Sequence, residues 1–522
     1  MQLKMIIQEI NEFNYKEKIL EGQKELDAKF ALIDSLISLA SEKEDGERRL
    51  RFLCQKDPTA WAYTFLKDKE NKRLKLWPFQ DKLINDKNRF VFCTASNQIG
   101  KTWTAIIKGM HHGLYVNSAS VIIISKSEDQ STAVLDEMKW MMRRSNMNFE
   151  SVIDEVSNRT ELHLKSPDGK GVSRIKCLPA TESALSYPAT LEINDEISFW
   201  ENGDYIYHQV LEPRTNAMKN WKHPYLTMGQ IFCISNPNGQ QGIGWDLFND
   251  DRYHNYIFCW LANPNNTYSE YKSAEKRLPS DRFDSIYAAR YSSATGGFIT
   301  KQEFNDAKCE DSFQIDITKP LYLGGDFAGE DTHSRDVDLS VLYGIQVESP
   351  GEENSKLKLV YCREFEPRTL KKEIYEEIAR LNEEYSIAMF AYDKVAIGDS
   401  VLNDLQDRNI LAEDQIEPLT YSLPNKSEVY YNLKHLFEQR KIKISGFDYF
   451  NRLQEQLLNM KFIKTPGGFI KVHGAKDLQI RRIAGREVAQ FKKEVHDDHA
   501  DAFANACYAA RLESAIPSAE WA

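Results

Sequence analysis

Residues 89–110 read RFVFCTASNQIGKTWTAIIKGM. A short apolar run, Arg89–Cys93, reads as a strand, and WTAIIKGM reads as the opening of a helix. Between them lies Ala95-Ser96-Asn97-Gln98-Ile99-Gly100-Lys101-Thr102. A strand–loop–helix context gives this loop a physical sense as a phosphate cradle. Loop and helix amides surround phosphate oxygens, Lys101 reaches the β and γ oxygens, and Thr102 ligates Mg²⁺. Ala95 stands where the strict G-x-x-x-x-G-K-[ST] pattern has its first glycine, a departure of one methyl group.

Outward from the loop, short buried runs alternate with helix-like segments: SVIIISKS from Ser120, ATLEINDEI from Ala189, and GQIFCISN from Gly229. That alternation predicts an α/β unit with a mostly parallel sheet and helices on both faces, ending near residue 262. The second of these runs ends in paired acids. Asp195 at a strand end can hold the Mg²⁺ water shell while Glu196 polarises an attacking water, the division of labour that ATP hydrolysis requires. Ahead of the loop, Trp77-Pro78-Phe79-Gln80 offers an aromatic ring for stacking and a Gln80 amide for the adenine edge. Taken alone it reads more readily as turn plus core. Ile234-Ser235-Asn236-Pro237-Asn238-Gly239 ends the strand after the acids and places small polar groups, Ser235 among them, near the γ-phosphate as a sensor, though the same residues also read as a Pro-Asn-Gly turn.

The chain has 522 residues, 67 Lys+Arg against 78 Asp+Glu (formal charge −11) and 42% hydrophobic residues, a balance that excludes disorder and fibre. The densest apolar run, Val121–Ile124, is far too short to span a membrane, and the amino terminus lacks a continuous signal-type apolar region, so the chain reads as cytoplasmic. The eight cysteines are scattered and never form C-x-x-C, which predicts reduced thiols. Four segments are expected: a helical extension over 1–50, a P-loop ATPase domain over 51–262, a polar helical linker over 263–315, and a further domain over 316–522.

This last block opens with LYLGGDFAGE, VDLSVLYGIQV and KLKLVYCREF, three strands in antiparallel style, followed by helix KKEIYEEIARLNEEY and strand IAMFAYDK. Asp326 and Asp393 end strands, and His496-Asp497-Asp498-His499-Ala500-Asp501 starts a final helix. Single strand-end aspartates usually cap turns. Together, acids from distant sequence supply what a two-metal phosphodiester site needs, with Asp326, Asp393, Asp498 and Asp501 as ligands to two Mg²⁺ or Mn²⁺ ions. Asp498 and Asp501 are three apart and share a helix face. His496 and His499 read as flanking structure.

From Lys461 to Lys493 nine basic residues face two acidic ones, and KFIKTPGGFIKV reads as a hairpin turning at Pro466-Gly467-Gly468. A basic hairpin beside an acidic site suits a duplex backbone held without base reading.

In motif type and order, residues 55 to 510 resemble the large terminase subunit of tailed double-stranded DNA bacteriophages. The resemblance rests on a WPxQ-like motif at Trp77–Gln80, a deviant Walker A at Ser96–Thr102, a Walker B ending in Asp195-Glu196, and a coupling motif at Ser235-Asn236-Pro237. It implies a RecA/ASCE-like ATPase followed by an RNase H-like mixed α/β nuclease, whose three acids fall on Asp326, Asp393 and the Asp497-Asp498 pair. Many members carry a basic residue inside the phosphate loop, where this chain has Asn97, so the γ-phosphate-sensing arginine stays open between Arg89 and Arg143. The resemblance further implies a packaging motor that binds double-stranded DNA, docks as a homo-oligomeric ring on the portal protein of a procapsid, and works with a small terminase subunit. Its place would be the cytoplasm of the infected bacterial host and not the mature virion. Two other readings compete: an ATP-dependent helicase or repair nuclease, which calls for a second P-loop-like sheet after residue 315, and a nucleotide-regulated assembly protein with inert acids.

Overall fold

The computed structural model describes residues 12–149, 153–157, 160–181, 188–293, 295–309, 314–327, 339–352, 354–366, 369–394, 400–465, 467–483, 486–494 and 496–511. They form two compact units, Met1–Ala274 with Asp281–Ser292, and Glu275–Ser280 with Ser293–Ala522. Residues 263–315, expected as a linker, are divided between the two.

The first unit holds an eight-stranded sheet: β1 Phe90–Ala95, β2 Ser120–Ser125, β3 Ile153–Ser157, β4 Glu161–Lys165, β5 Val172–Pro179, β6 Leu191–Asp195, β7 Gln230–Ser235 and β8 His254–Phe258, in the order β3-β4-β5-β2-β6-β7-β1-β8. From β5 to β8 all neighbours are parallel. Residues of β2, β6 and β7 are almost wholly buried, as strands covered on both faces must be. β3 and β4 add an antiparallel wing, in which β4 alternates buried and partly exposed residues. The order places β7 between the phosphate-loop strand β1 and the acid-bearing strand β6, so Ser235 and Asn236 emerge between Lys101 and Asp195-Glu196. The amino-terminal helix Glu12–Glu42 packs Leu26, Phe30 and Ile33 against Ala60 and Tyr63.

In the second unit β9 Thr295–Gly297 belongs to a small sheet. β10 Leu321–Asp326, β11 Val341–Glu348, β12 Lys356–Glu364, β13 Ile387–Asp393, β14 Ile416–Leu419 and β15 Ile442–Ile444 form the main one, in the order β14-β13-β10-β11-β12-β15. β10, β11 and β12 are antiparallel, and β13 then joins the other side of β10 in parallel after helix Lys371–Tyr385. This is the expected RNase H-like mixed arrangement. It is not the second parallel P-loop sheet that a helicase reading calls for.

The small sheet runs β18-β17-β16-β9, with β16 Met460–Lys464, β17 Ile470–Ile483 and β18 Arg486–Glu494. The expected hairpin is the β16–β17 pair, closing at Lys464↔Ile470; Pro466 lies outside the described residues. β17 continues past that pairing into a second ribbon with β18, which the sequence reading missed. The side chains of Lys476, Arg481, Arg482, Arg486, Lys492 and Lys493, six of the nine basic residues, lie outside what is described.

The final helix, Asp498–Ala509, is buried along its length. Six alanines in the run Ala500–Ala510 keep it thin, and it lies directly on β10: a Cβ on Gly324 would stand 2.0 Å from Ala506 N and 2.3 Å from Ala502 O. Among the described residues no helix is long and apolar enough to cross a membrane, and all eight cysteines are free.

Candidate active sites

The phosphate loop joins the C-terminal end of β1 to helix Lys101–Tyr115, whose first turn carries Lys101 and Thr102. Ala95 is the last residue of β1, fully buried and paired in parallel with Phe258, so the missing glycine removes no left-handed position. Those positions are Gln98 at φ 55° and Gly100 at φ 80°. Asn97 and Gln98 are exposed, whereas Ile99 sends its side chain into the core and has only its backbone to offer a ligand. Ser96 is fully buried, its N donating to Phe258 O, and its Oγ has no protein partner.

Gln80 departs from its expected part. Its Nε2 donates to Gly100 O at 3.1 Å and its Oε1 accepts from Trp77 N at 2.9 Å, with the side chain buried. The amide ties the loop to the helix Pro78–Ile84. Phe79 likewise belongs to the core, against Phe258, and Trp77 is the ring left at the surface of this corner.

Lys101 Nζ donates to Glu196 Oε1 at 3.0 Å and to Asn236 Oδ1. Asn236 N donates in turn to Glu196 Oε2 at 3.4 Å, so lysine, glutamate and asparagine close a triangle across the ends of β1, β6 and β7. Glu196 takes a left-handed backbone, φ 54°, its N bonded to Ile234 O. A non-glycine residue in that region is strained and needs its surroundings to hold it. Thr102 Oγ1 lies 3.5 Å from Asp195 Oδ2. Burial, reinforced by the Glu196 charge and opposed by Lys101, pushes the Asp195 carboxyl up to about 7. Asp195 Oδ1 is buried without a protein partner. An uncompensated carboxylate beside a threonine hydroxyl fits a hydrated Mg²⁺. Ser235 Oγ accepts from Ser198 N at 3.1 Å, which pins the turn after Glu196.

Arg89 is anchored at the opposite end of β1, donating to Gly229 O and Asn216 Oδ1. Six residues of strand, about 20 Å, separate it from the loop. Arg143 is exposed in the last turn of helix Glu128–Arg144.

In the second unit, β10 and β13 pair in parallel with Gly325 beside Tyr392, so one step on Asp326 and Asp393 leave adjacent strand ends, roughly 5 Å apart in the sheet. Asp498 opens the final helix, and its Oδ2 accepts from Leu339 N at 3.2 Å. Asp497 stands just ahead of the same helix without a side-chain cap bond, and its Oδ2 accepts from Gly474 N at 3.3 Å. Burial and then the charges of Asp501 and Asp498 push Asp326 well above the usual carboxylate range, with Lys426 opposing. Asp326, Asp498 and Asp501 thus share one electrostatic neighbourhood. Tyr421, whose hydroxyl donates to Asn505 Oδ1 at 2.6 Å, is raised by burial and then by Asp501, Asp326 and Asp393, which brings Asp393 into it. The oxygen-only donors of Asp326, Asp393 and Asp498 suit a hard divalent cation. Asp501 does not stand ready with them: Lys426 and Tyr430 hold it. Among the described residues no three acid, histidine or cysteine side chains converge into a finished cage.

His499 is wholly buried, its Nδ1 against Tyr343 OH at 2.8 Å and its Nε2 against Glu364 Oε2 at 2.9 Å, and so ties the acid-bearing turn to β11 and β12. His496 lies 3.9 Å from Asp498.

No family model matches the chain, and no curated protein matches it. Solved structures do. The large terminase of a thermophilic bacteriophage is 10% identical over 82% of this chain and 95% of its own, with a TM-score of 0.42. The HK97 bacteriophage large terminase is 14% identical over 87% of this chain and 99% of its own, at 0.35. The large terminase ATPase domain of Thermus phage P74-26 is 15% identical over 41% of this chain and 92% of its own, at 0.33. These are structures of the family that the motif order resembles.

Lys426, Tyr421, Tyr430 and Asn505 are site residues that lie outside every sequence motif. Lys426, Tyr430 and Asn505 carry no local pattern that separates them from ordinary helix residues, and Tyr421 lies in the loop just ahead of helix Leu423–Glu438.

Proposed function

We propose that this chain is the large subunit of a viral DNA-packaging terminase, with ATP hydrolysis in the first unit and metal-dependent DNA cleavage in the second. The observation that carries the reading is the triangle of Lys101, Glu196 and Asn236 beside the Asp195–Thr102 pair. A lysine, a strand-end acid pair and a polar residue from the intervening strand meet at the C-terminal edge of a parallel sheet, where such folds bind nucleotides.

With ATP bound, Lys101 leaves Glu196 for the β and γ oxygens, and the freed Glu196 orients the attacking water. A Mg²⁺ ion, held through Thr102 and Asp195, would neutralise charge on the phosphates. Asn236, bonded to both Lys101 and Glu196, senses whether that exchange has occurred. In the second unit Asp326, Asp393 and Asp498 would hold divalent metal, whose chemistry is to activate water at a phosphodiester and stabilise the departing oxygen. The β16–β17 hairpin, with Lys461 and Lys471 on its arms, would supply phosphate contacts, whereas Lys464 is buried. DNA translocation into a procapsid, a homo-oligomeric ring on the portal, a small terminase partner and a place in the infected host's cytoplasm complete the proposal. They follow from the resemblance.

Plasmid cleavage and phosphate release from one preparation test it. Asp326→Ala abolishes cutting in Mg²⁺ or Mn²⁺ and spares ATP hydrolysis, while Lys101→Ala does the reverse. Cutting that survives Asp326→Ala or EDTA overturns the nuclease half, and hydrolysis that survives Lys101→Ala overturns the ATPase half.

A further inference from the structure

Asp501, three residues after Asp498, was expected to turn toward the same metal. Both of its oxygens are taken by protein. Lys426 Nζ donates to Oδ2 at 2.9 Å and the Tyr430 hydroxyl donates to Oδ1. Lys426 and Tyr430 are four apart on helix Leu423–Glu438, so one face of that helix presents a cation and a hydroxyl to a single carboxylate.

The ammonium is fixed from other sides as well. It lies over the rings of Tyr421, at 4.9 Å, and Tyr430, at 5.5 Å, and the side chain is only 17% exposed. Beyond Asp501, it is in charge range of Asp497 and Asp326. A buried lysine with a hydrogen-bonded carboxylate, two aromatic faces and further acids around it has nowhere cheaper to go. A second divalent ion placed between Asp326 and Asp501 would meet that ammonium already in position, and like charges at close range in a partly buried site repel strongly.

We infer that Lys426 takes the place of one metal ion: the acid site loads a single divalent cation on Asp326, Asp393 and Asp498, and Asp501 is the carboxylate that holds the ammonium beside it. The inference rests on the nuclease reading of this cluster and changes its inventory, from two ions to one ion and a lysine. Asp501 is then a positioning residue.

Counting ions tests it without any cleavage assay. Mn²⁺ is titrated into full-length, nucleotide-free protein and the free ion read by electron paramagnetic resonance, for the unaltered chain, Asp326→Asn, Lys426→Arg and Lys426→Met. Asp326→Asn loses one ion, Lys426→Arg keeps the original count, and Lys426→Met gains one. A loss of two ions in Asp326→Asn, or an unchanged count in Lys426→Met, overturns the single-ion inference and leaves the nuclease reading standing. No loss in Asp326→Asn overturns both. If Lys426→Met does not fold, the counts for the unaltered chain, Asp326→Asn and Lys426→Arg still decide.

Discussion

Lys101 Nζ lies 3.0 Å from Glu196 Oε1, with the lysine side chain 7% exposed and the glutamate 26%. The cation that would grip phosphate and the acid that would orient water neutralise one another across the nucleotide site. In the proposed reaction ATP must break this partly buried ion pair before Lys101 can reach phosphate. Glu196→Gln removes the competitor without changing the shape: a non-hydrolysable ATP analogue binds about threefold to tenfold more tightly, and phosphate release falls by about a hundredfold or more. Calorimetry and a release assay read the two together. Weaker analogue binding in Glu196→Gln would show that the pair does not oppose nucleotide.

Gln80 Nε2 donates to Gly100 O and so braces the loop. Gln80→Ala consequently raises KM for ATP and GTP by the same factor, about fivefold for one lost buried hydrogen bond. Parallel kinetics with the two nucleotides check this, since an adenine-reading amide would show a loss confined to ATP.

At Gly324 the nearest atoms to an added Cβ are backbone atoms of the final helix, at 2.0 Å and 2.3 Å. Backbone cannot rotate aside as a side chain can. Gly324→Ala should cost the second unit about 3 kcal/mol by overpacking. It abolishes cleavage by displacing Asp498 and Asp501, while ATP hydrolysis is retained. Thermal unfolding with both activity assays measures each effect, and an unshifted melting curve would refute the tight contact.

His111 and His112 lie buried on the phosphate-loop helix, with Nε2 of His111 2.8 Å from Cys54 O. Burial drives His111 down to about 3, and lowers His112 as well. The unfolded chain takes up these protons near 6.5, so the native state binds fewer of them in between. The stability contributed by the neutral rings is whole above 6.5 and is lost as pH falls toward 3, by about 1.4 kcal/mol for each unit of separation in pKa. Melting temperature should drop steeply from pH 6.5 to 4.5, and His111→Gln should flatten that slope.

Much of the first site was legible because its determinants are local. A strand, a Gly-Lys-Thr turn and a helix lie within 22 residues, and the acids close a strand two places away in the same sheet. The same is true of the strand-end aspartates, since parallel register alone brings Asp326 to Asp393. The errors arose where a side chain answers to a distant one. Asp501 looked like a ligand from its helix face, but what claims it is Lys426, 75 residues away, and Tyr430, 71 away. Gln80 is a like case, its partner Gly100 lying 20 residues on. The β3–β4 wing escaped notice because its strands are short and polar, and the β17–β18 ribbon because its residues show no turn signal stronger than Ala484-Gly485.

Lys29 reaches Asp57 at 2.7 Å and Asp81 at 2.5 Å, and Pro78 lies where a Cβ on Gly22 would be, 3.0 Å away. Asp81 follows Gln80 on the short helix that clasps the phosphate loop. The opening helix is thus one step removed from the nucleotide. A protein shortened to begin at residue 51 would bare Ala60 and Tyr63 and leave Asp57 and Asp81 without their shared cation, so its turnover would report damage at a distance. Residues 20–42 therefore brace the helix whose Gln80 holds Gly100 O, through one lysine shared by two acids.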